Sequence, residues 1–228
     1  MSLIIGFGHR ARQGKDEAVA HLIKTYGGRY DVRRYAFADM LKEQWYDLLL
    51  QPCHPYWSSE VAAQTVAYGL MPVPLIPIDC ATSAEKLAWI AENKTWFGKH
   101  LQVFASEYIR AEDEFYYVNA LRYRVEADKP QIALVTDVRF LNEFWWIKSS
   151  QGYTVKVTRE GYTVNDGRDP NHAGEVALIN SKFDFEIRVA DGDLDGLRSD
   201  AETVFQAVVE KVTGTFISDE EEEPSWVL

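Results

Sequence analysis

Gly8-His9-Arg10-Ala11-Arg12-Gln13-Gly14-Lys15 is the stretch on which the reading of this chain turns. Before it, Leu3 to Phe7 is a short apolar run with β-branched residues, the pattern of a buried strand. After it, Asp16 to Thr25 carries Ala18, Ala20, Leu22 and Ile23 at roughly helical spacing, and Gly27-Gly28 ends that helix. Strand, glycine-containing loop, lysine and helix are the parts of a phosphate loop. The glycines let backbone N–H groups point inward at phosphate oxygens, the lysine neutralises the outer phosphates, and the helix aims its positive end at the same place. Arg10 and Arg12 add local positive charge. The pattern departs from the usual one in two ways. Five residues separate the glycines instead of four, and Asp16-Glu17 follows the lysine where a Ser or Thr is usual. The competing reading is a strand-to-helix turn with no ligand; the strand and helix on either side favour the phosphate loop.

Outward from this loop, strands and helices alternate. Arg34 to Phe37 reads as a second strand, and Asp39 as the cap of a helix from Met40 to Leu50. Between Gln51 and Asp79, prolines 52, 55, 72, 74 and 77 forbid long regular elements, so this is an irregular insertion with one helical piece near Glu60 to Tyr68. Ser83 to Glu92, capped by Ser83, then Lys99 to Ala111 and Phe115 to Glu126 read as helices. Ile132 to Val135 is the strongest buried-strand signal and ends at Thr136-Asp137. Leu141 to Ser149 follows as a helix, Tyr153 to Thr158 as a strand, Asp166 to Ala173 as a polar loop, Phe183 to Val189 as a strand, Asp191-Gly192 as a turn, and Leu194 to Val212 as a helix. The alternation predicts an α/β fold, a parallel sheet flanked by helices with right-handed crossovers. One domain over residues 1–217, with the insertion at about 51–98 forming an acceptor-side lid, suits a chain of 228 residues; residues 218–228 form a tail.

Asp137 ends the apolar strand, and in parallel α/β folds ligands bind at the carboxyl ends of strands. A carboxylate there can hold Mg²⁺ directly or through water. Arg139, two residues on, can clamp a phosphate bidentately. The alternative is that Asp137 caps the next turn and Arg139 pairs with Glu143. Arg110, taken alone, reads as a surface ion pair, Lys42 as a solvated lysine, and the aromatics Trp45, Tyr46, Phe115, Tyr116, Tyr117, Trp145 and Trp146 as mainly core. His172 reads as a loop residue, not a general base.

Composition narrows the classes. The chain is 46% hydrophobic and 26% charged, ordinary for a globular protein. No apolar run reaches the roughly 18 residues of a membrane span, and the apolar N-terminal run is too short for a secretory signal. Cys53 and Cys80 fit no zinc or redox spacing, which predicts a reduced, cytoplasmic protein. Net charge is −11, and the acids Asp219, Glu220, Glu221, Glu222 and Glu223 account for five of those charges; the body keeps −6. Such a body is a poor non-specific nucleic-acid binder, and the tail composition predicts disorder.

Taken in order, several segments resemble the phage-type deoxynucleoside monophosphate kinases, a branch of the P-loop nucleotide kinases. They are GHRARQGKD (8–16), FADMLKE (37–43), LQVFASEYIRAEDEFYYVNAL (101–121), DVRFLNE (137–143), DPNHAGE (169–175) and FDFEIRVADGDLDGL (183–197). The resemblance implies a P-loop kinase moving the γ-phosphoryl of ATP, with Mg²⁺, to a (deoxy)nucleoside monophosphate in a cytoplasm, the host's if the protein is phage-encoded. It implies that Gly8, His9, Arg10, Arg12, Gln13, Gly14, Lys15, Asp16 and Glu17 serve ATP, with Asp191 and Gly192 near the adenine. Phe37, Asp39, Lys42, Gln102, Arg110, Asp113, Arg139, Asn142 and Glu143 would line the acceptor side. Lys15, Asp137, Arg139 and Arg110 would act at the phosphates, with Asp137 on the metal. A small nucleotide is then the partner, and a homodimer is open. The family pattern has Thr where this chain has Glu17 and Asn where it has Ala190. Alternatives are a related kinase with another acceptor, such as dephospho-coenzyme A or a modified base in DNA, and a nucleotide-binding protein without catalysis.

Overall fold

The computed structural model describes residues 2–51, 53–60, 62, 82–93, 100–101, 103–162 and 173–214. Its frame is one sheet of five strands, all parallel, in the order β2-β3-β1-β4-β5. The strands are β1 (Leu3–Gly8), β2 (Val32–Tyr35), β3 (Ile132–Val138), β4 (Tyr153–Glu160) and β5 (Phe185–Ala190). The helices are α1 (Lys15–Tyr26), α2 (Phe37–Leu49), α3 (Ser83–Glu92), α4 (Tyr116–Asp128), α5 (Leu141–Ser149), α6 (Ala173–Val176) and α7 (Leu194–Thr213).

Both faces of the sheet are covered, as a parallel sheet requires. Ile5 and Phe7 of β1 and Ile132 and Leu134 of β3 face α1 and α7, packing with Val19, Leu22, Leu197 and Phe205. Their neighbours Ile4, Ala133 and Val135 point the other way, into a cluster with Tyr117 and Leu121 of α4 and Phe144 and Ile147 of α5. This strict alternation follows from the two-residue period of a strand. A third cluster joins Trp45, Tyr46 and Leu48 of α2 to Tyr56, Ile90 and Phe104, so the aromatics of this region are core. The expected core role of Tyr117 and Trp146 holds as well, whereas Phe115, Tyr116 and Trp145 are exposed.

Several boundaries differ from the sequence reading. β2 begins and ends two residues earlier because Val32 and Tyr35 are its buried positions and Arg33 and Arg34 face out. α2 starts at Phe37, not after Asp39, because its cap comes from another strand: the Asp137 carboxylate of β3 accepts the N–H groups of Phe37 at 2.9 Å and Ala38 at 2.8 Å. Asp39 instead sits in the first turn. Thr82, not Ser83, caps α3, in a reciprocal capping box with Glu85. The helix expected to end at Ala111 is π-helical over Phe104–Ile109 and closes with a turn at Arg110–Glu112. β5 starts at Phe185; Phe183 packs edge-on against Phe144 with ring centroids 5.2 Å apart. Pro55–Ser58 forms a 3-10 turn, and Ala173–Val176 is a helical turn that the sequence reading did not contain. The helical piece expected near residues 60–68, most of the insertion, Gln102, His172, Cys80 and the acidic tail lie outside the described residues. Cys53 is a free, exposed thiol. Among the described residues, no helix is long and apolar enough to cross a membrane.

Candidate active site

The helices after β1 and β3 leave the sheet in opposite directions: α1 covers one face and α5 the other. These two strands are neighbours in the sheet. The carboxyl ends of β1 and β3 therefore flank a topological switch point, where open parallel sheets form their ligand crevice. The 8–15 loop leaves β1 there, and Asp137 and Arg139 leave β3 beside it.

The loop is tied to β3 by the His9 N–H, which donates to the Val138 carbonyl at 3.3 Å. Its backbone turns repeatedly: φ is 89° at His9, 56° at Arg12 and 94° at Gly14. Alternating handedness of this kind makes a concavity of N–H groups. Gly14 is favoured by its positive φ, and a Cβ added there would lie 2.8 Å from Cδ2 of Leu197 in α7, which would have to shift. Lys15 opens α1, is only 5% exposed, and its ammonium donates across the loop to the Arg10 carbonyl. Burial, with the positive Arg139 nearby, pushes the Lys15 ammonium down to about 8. His9 is pushed down to about 4 by burial and by Lys156, Arg10 and Lys15, so its ring is neutral at pH 7. Arg10 and Arg12 are exposed at the rim.

Gln13 is a strut. Its side-chain oxygen accepts the Arg159 N–H at 2.6 Å and its Nε2 donates to the Ala11 carbonyl at 3.3 Å. Arg159 in turn pairs with Asp191, at the turn where Gly192 takes φ 87°. The turn expected near the adenine is thus linked to the 8–15 loop through Gln13 and Arg159. The acids that replace the usual hydroxyl are both held by arginines: Asp16 lies 3.3 Å from Arg34, and Glu17 lies 2.6 Å from Arg198 of α7.

Across the crevice, Asp137 is committed to capping α2, and not to the turn after its own strand. Burial pushes its carboxyl up, against the pull of the two N–H donors and Arg139. The expected alternative, an Arg139–Glu143 side-chain pair, is not formed. Glu143 is 2% exposed and accepts the backbone N–H groups of Arg139 at 2.8 Å and Phe140 at 3.0 Å, while its other oxygen receives Arg110. The Arg139 guanidinium donates instead to Glu175 at 2.8 Å. Arg110 is not a loose surface pair: it is clamped between Glu143 and the Phe140 ring, 4.1 Å below its guanidinium.

On the side expected to take an acceptor, Asp39 binds Arg34 at 2.6 Å and Lys42 at 2.9 Å. Burial would raise the Asp39 carboxyl, but Lys42 and Arg34 outweigh it and hold it below the usual carboxylate range. Lys42 is therefore paired, not merely solvated. Phe37 is buried edge-on against Trp146, at 5.9 Å between centroids, which makes it a core residue. Asp113 accepts the Phe115 N–H at 2.9 Å ahead of α4, and Asn142 ties the start of α5 to the Glu114 carbonyl. Both shape the rim. Of the expected residues, the fold thus gathers Lys15, Asp137, Arg139, Arg110 and Glu143 around one crevice. Arg34, Arg159, Arg198 and Glu175 join the network without having been singled out. Only Glu175 lay in a segment of note, as the last residue of DPNHAGE.

Among the described residues, no cluster of three or more His, Cys, Asp or Glu side chains is placed to hold a metal ion. Compared with known proteins, the chain matches no family model and no curated protein sequence. The fold and the crevice define an α/β protein with a lysine-bearing loop opposite an arginine pair.

Proposed function

We propose that this chain is a P-loop kinase that transfers the γ-phosphoryl of ATP to a (deoxy)nucleoside monophosphate. The observation that carries the reading is the meeting of a buried Lys15, at the N-terminus of α1, with Arg139 at a switch point of the sheet. A buried ammonium held near a guanidinium, with only a backbone carbonyl as its hydrogen-bond partner among the described residues, suits a polyanionic ligand.

In this reading the 8–15 loop and the positive end of α1 bind the β- and γ-phosphates of ATP, and Lys15 stabilises the charge that develops as the γ-phosphoryl leaves. Arg139 and Arg110 receive the acceptor phosphate, which carries nearly two charges near neutral pH. Glu143 holds Arg110 and the Arg139 backbone in register. Transfer depends on positioning and charge stabilisation, so no general base is required. Mg²⁺ fits the site through water. Each Asp137 oxygen already accepts one N–H, and a carboxylate offers about four acceptor sites in all. Bound there with ATP, the ion would offset phosphate charge. The dephospho-coenzyme A and DNA-base acceptors remain variants of the same chemistry.

A second reading, nucleotide binding without transfer, is favoured by one observation: Glu17 stands where a hydroxyl is usual and is bound to Arg198. ATP turnover against a panel of nucleoside and deoxynucleoside monophosphates tests both. Monophosphate-dependent ADP formation is expected; ATP binding with no transfer to any acceptor would give the second reading the lead.

A further inference from the structure

We infer that Glu175 is an internal anion seated in the phosphate loop, so that a phosphate enters by displacing it and takes over Arg139 in the same exchange. The inference rests on the phosphate-loop reading. Two contacts among the described residues place the carboxylate. One Glu175 oxygen accepts the Ala11 N–H of the loop at 2.9 Å, and the other accepts Arg139 Nη1 at 2.8 Å. The side chain is only 9% exposed. Lys15 and His9 both lie within its field.

This arrangement is chemically that of a loop with an anion in place. An inward N–H at the centre of the loop and the arginine from β3 converge on one carboxylate, as they would on two oxygens of a phosphate. Glu175 comes from α6, a single helical turn that meets the loop across 164 positions of sequence. Its charge offsets part of the positive field of Lys15 and Arg139. A polyphosphate offers the same donors more oxygens and more charge, and so wins the exchange. Once Glu175 leaves, Arg139 is free to turn to phosphate. Nucleotide arrival and preparation of the acceptor side are then one event. The same contact lowers the apparent affinity for phosphate by the fraction of molecules in which Glu175 is out of the loop.

The test compares the full chain with Glu175→Gln, using inorganic tripolyphosphate and ATP as titrants in calorimetry at fixed ionic strength. Glu175→Gln should bind tripolyphosphate about tenfold more tightly, corresponding to a loop that Glu175 holds in about nine molecules of ten. Glu126→Gln, on the exposed face of α4, should leave affinity unchanged. An equal gain there would reduce the effect to net charge and overturn the inference. In amide exchange by NMR, the Ala11 N–H should lose protection in ligand-free Glu175→Gln and regain it with tripolyphosphate. Should Glu175→Gln fail to fold, Glu175→Asp, which keeps the charge and shortens the reach, should show the same changes in weaker form. Equal affinity of wild type and variant sinks the exchange while leaving the phosphate loop standing. Weaker binding by the variant makes Glu175 a positioning residue for Arg139 and also overturns it. If neither protein binds tripolyphosphate or ATP, the phosphate-loop reading fails and takes this inference with it.

Discussion

Lys15 is a charge placed where it costs the ligand-free fold. Its ammonium is held near 8, below the ordinary 10.5. Between those values the unfolded chain binds more protons than the folded one, so stability rises with pH across that window. At neutral pH the burden is about 3 kcal/mol. Lys15→Met should therefore raise the urea midpoint at pH 7, by an amount that shrinks toward pH 10, while cutting transfer by about 10²–10³ or more. Near-normal kcat in that variant would refute the phosphate-loop assignment. His9 carries the opposite end of the pH scale. Its ring stays neutral down to about 4, against 6.5 for a free imidazole, and its Nδ1 is buried without a hydrogen-bond partner among the described residues. As pH falls from 6.5 to 4 the unfolded chain gains a proton that the folded one refuses, and stability drops. His9→Asn should flatten that part of the acid limb in a series of urea melts. Asn is suited to the position because it tolerates positive φ better than most residues.

At the scale of elements, two carboxylates hold the crevice together by serving backbone N–H groups of other segments. Asp137 joins the end of β3 to the start of α2. Asn in its place keeps one acceptor and puts an NH₂ opposite the other donor, leaving one N–H unpaired. Asp137→Asn should cost about 1–3 kcal/mol in chemical denaturation and also raise the Mg²⁺ needed for half-maximal rate. A loss of stability with unchanged Mg²⁺ dependence would leave Asp137 a helix cap alone. Glu143 joins the β3–α5 turn to Arg110. Arg110→Ala strands a carboxylate that is 2% exposed and should destabilise by about 3–5 kcal/mol. Arg139→Ala should cost less, because Glu175 retains the Ala11 N–H. Both variants should raise KM for the monophosphate more than KM for ATP, and equal effects on the two substrates would make both arginines structural.

For the whole molecule, a ligand bridging β1, α1 and β3 stabilises every element it touches. ATP at about 100 times its Kd should add about 2.7 kcal/mol, which thermal denaturation would read as a rise in Tm of several degrees. Glu17→Thr should leave that shift and the rate equal or improved, since the Arg198 pair it breaks is solvent-screened and contributes little. A rate abolished by Glu17→Thr would mean that Glu17 serves the ligand directly.

The five strands, the helices flanking them and the 8–15 loop were legible in the sequence because each rests on local information. Short apolar runs bury on both faces of a parallel sheet, helical spacing repeats within a turn, and glycine marks the backbone reversals. Asp137 and Arg139 were legible for the same reason, as residues at the carboxyl end of a recognisable strand, and Lys15 as the residue that closes the glycine loop before a helix. What only tertiary structure decided was which charge meets which. Asp39 looked like the cap of α2, yet the cap is Asp137, about 100 positions away. Arg139 had Glu143 four residues on, yet its guanidinium meets Glu175, while Glu143 takes Arg110 and two backbone N–H groups. Glu17 in the first turn of α1 is held by Arg198 from α7. A helix or strand is chosen by neighbours a few residues apart, whereas an ion pair is chosen by whichever segments the sheet order brings to the same edge. That order depends on how every strand packs at once.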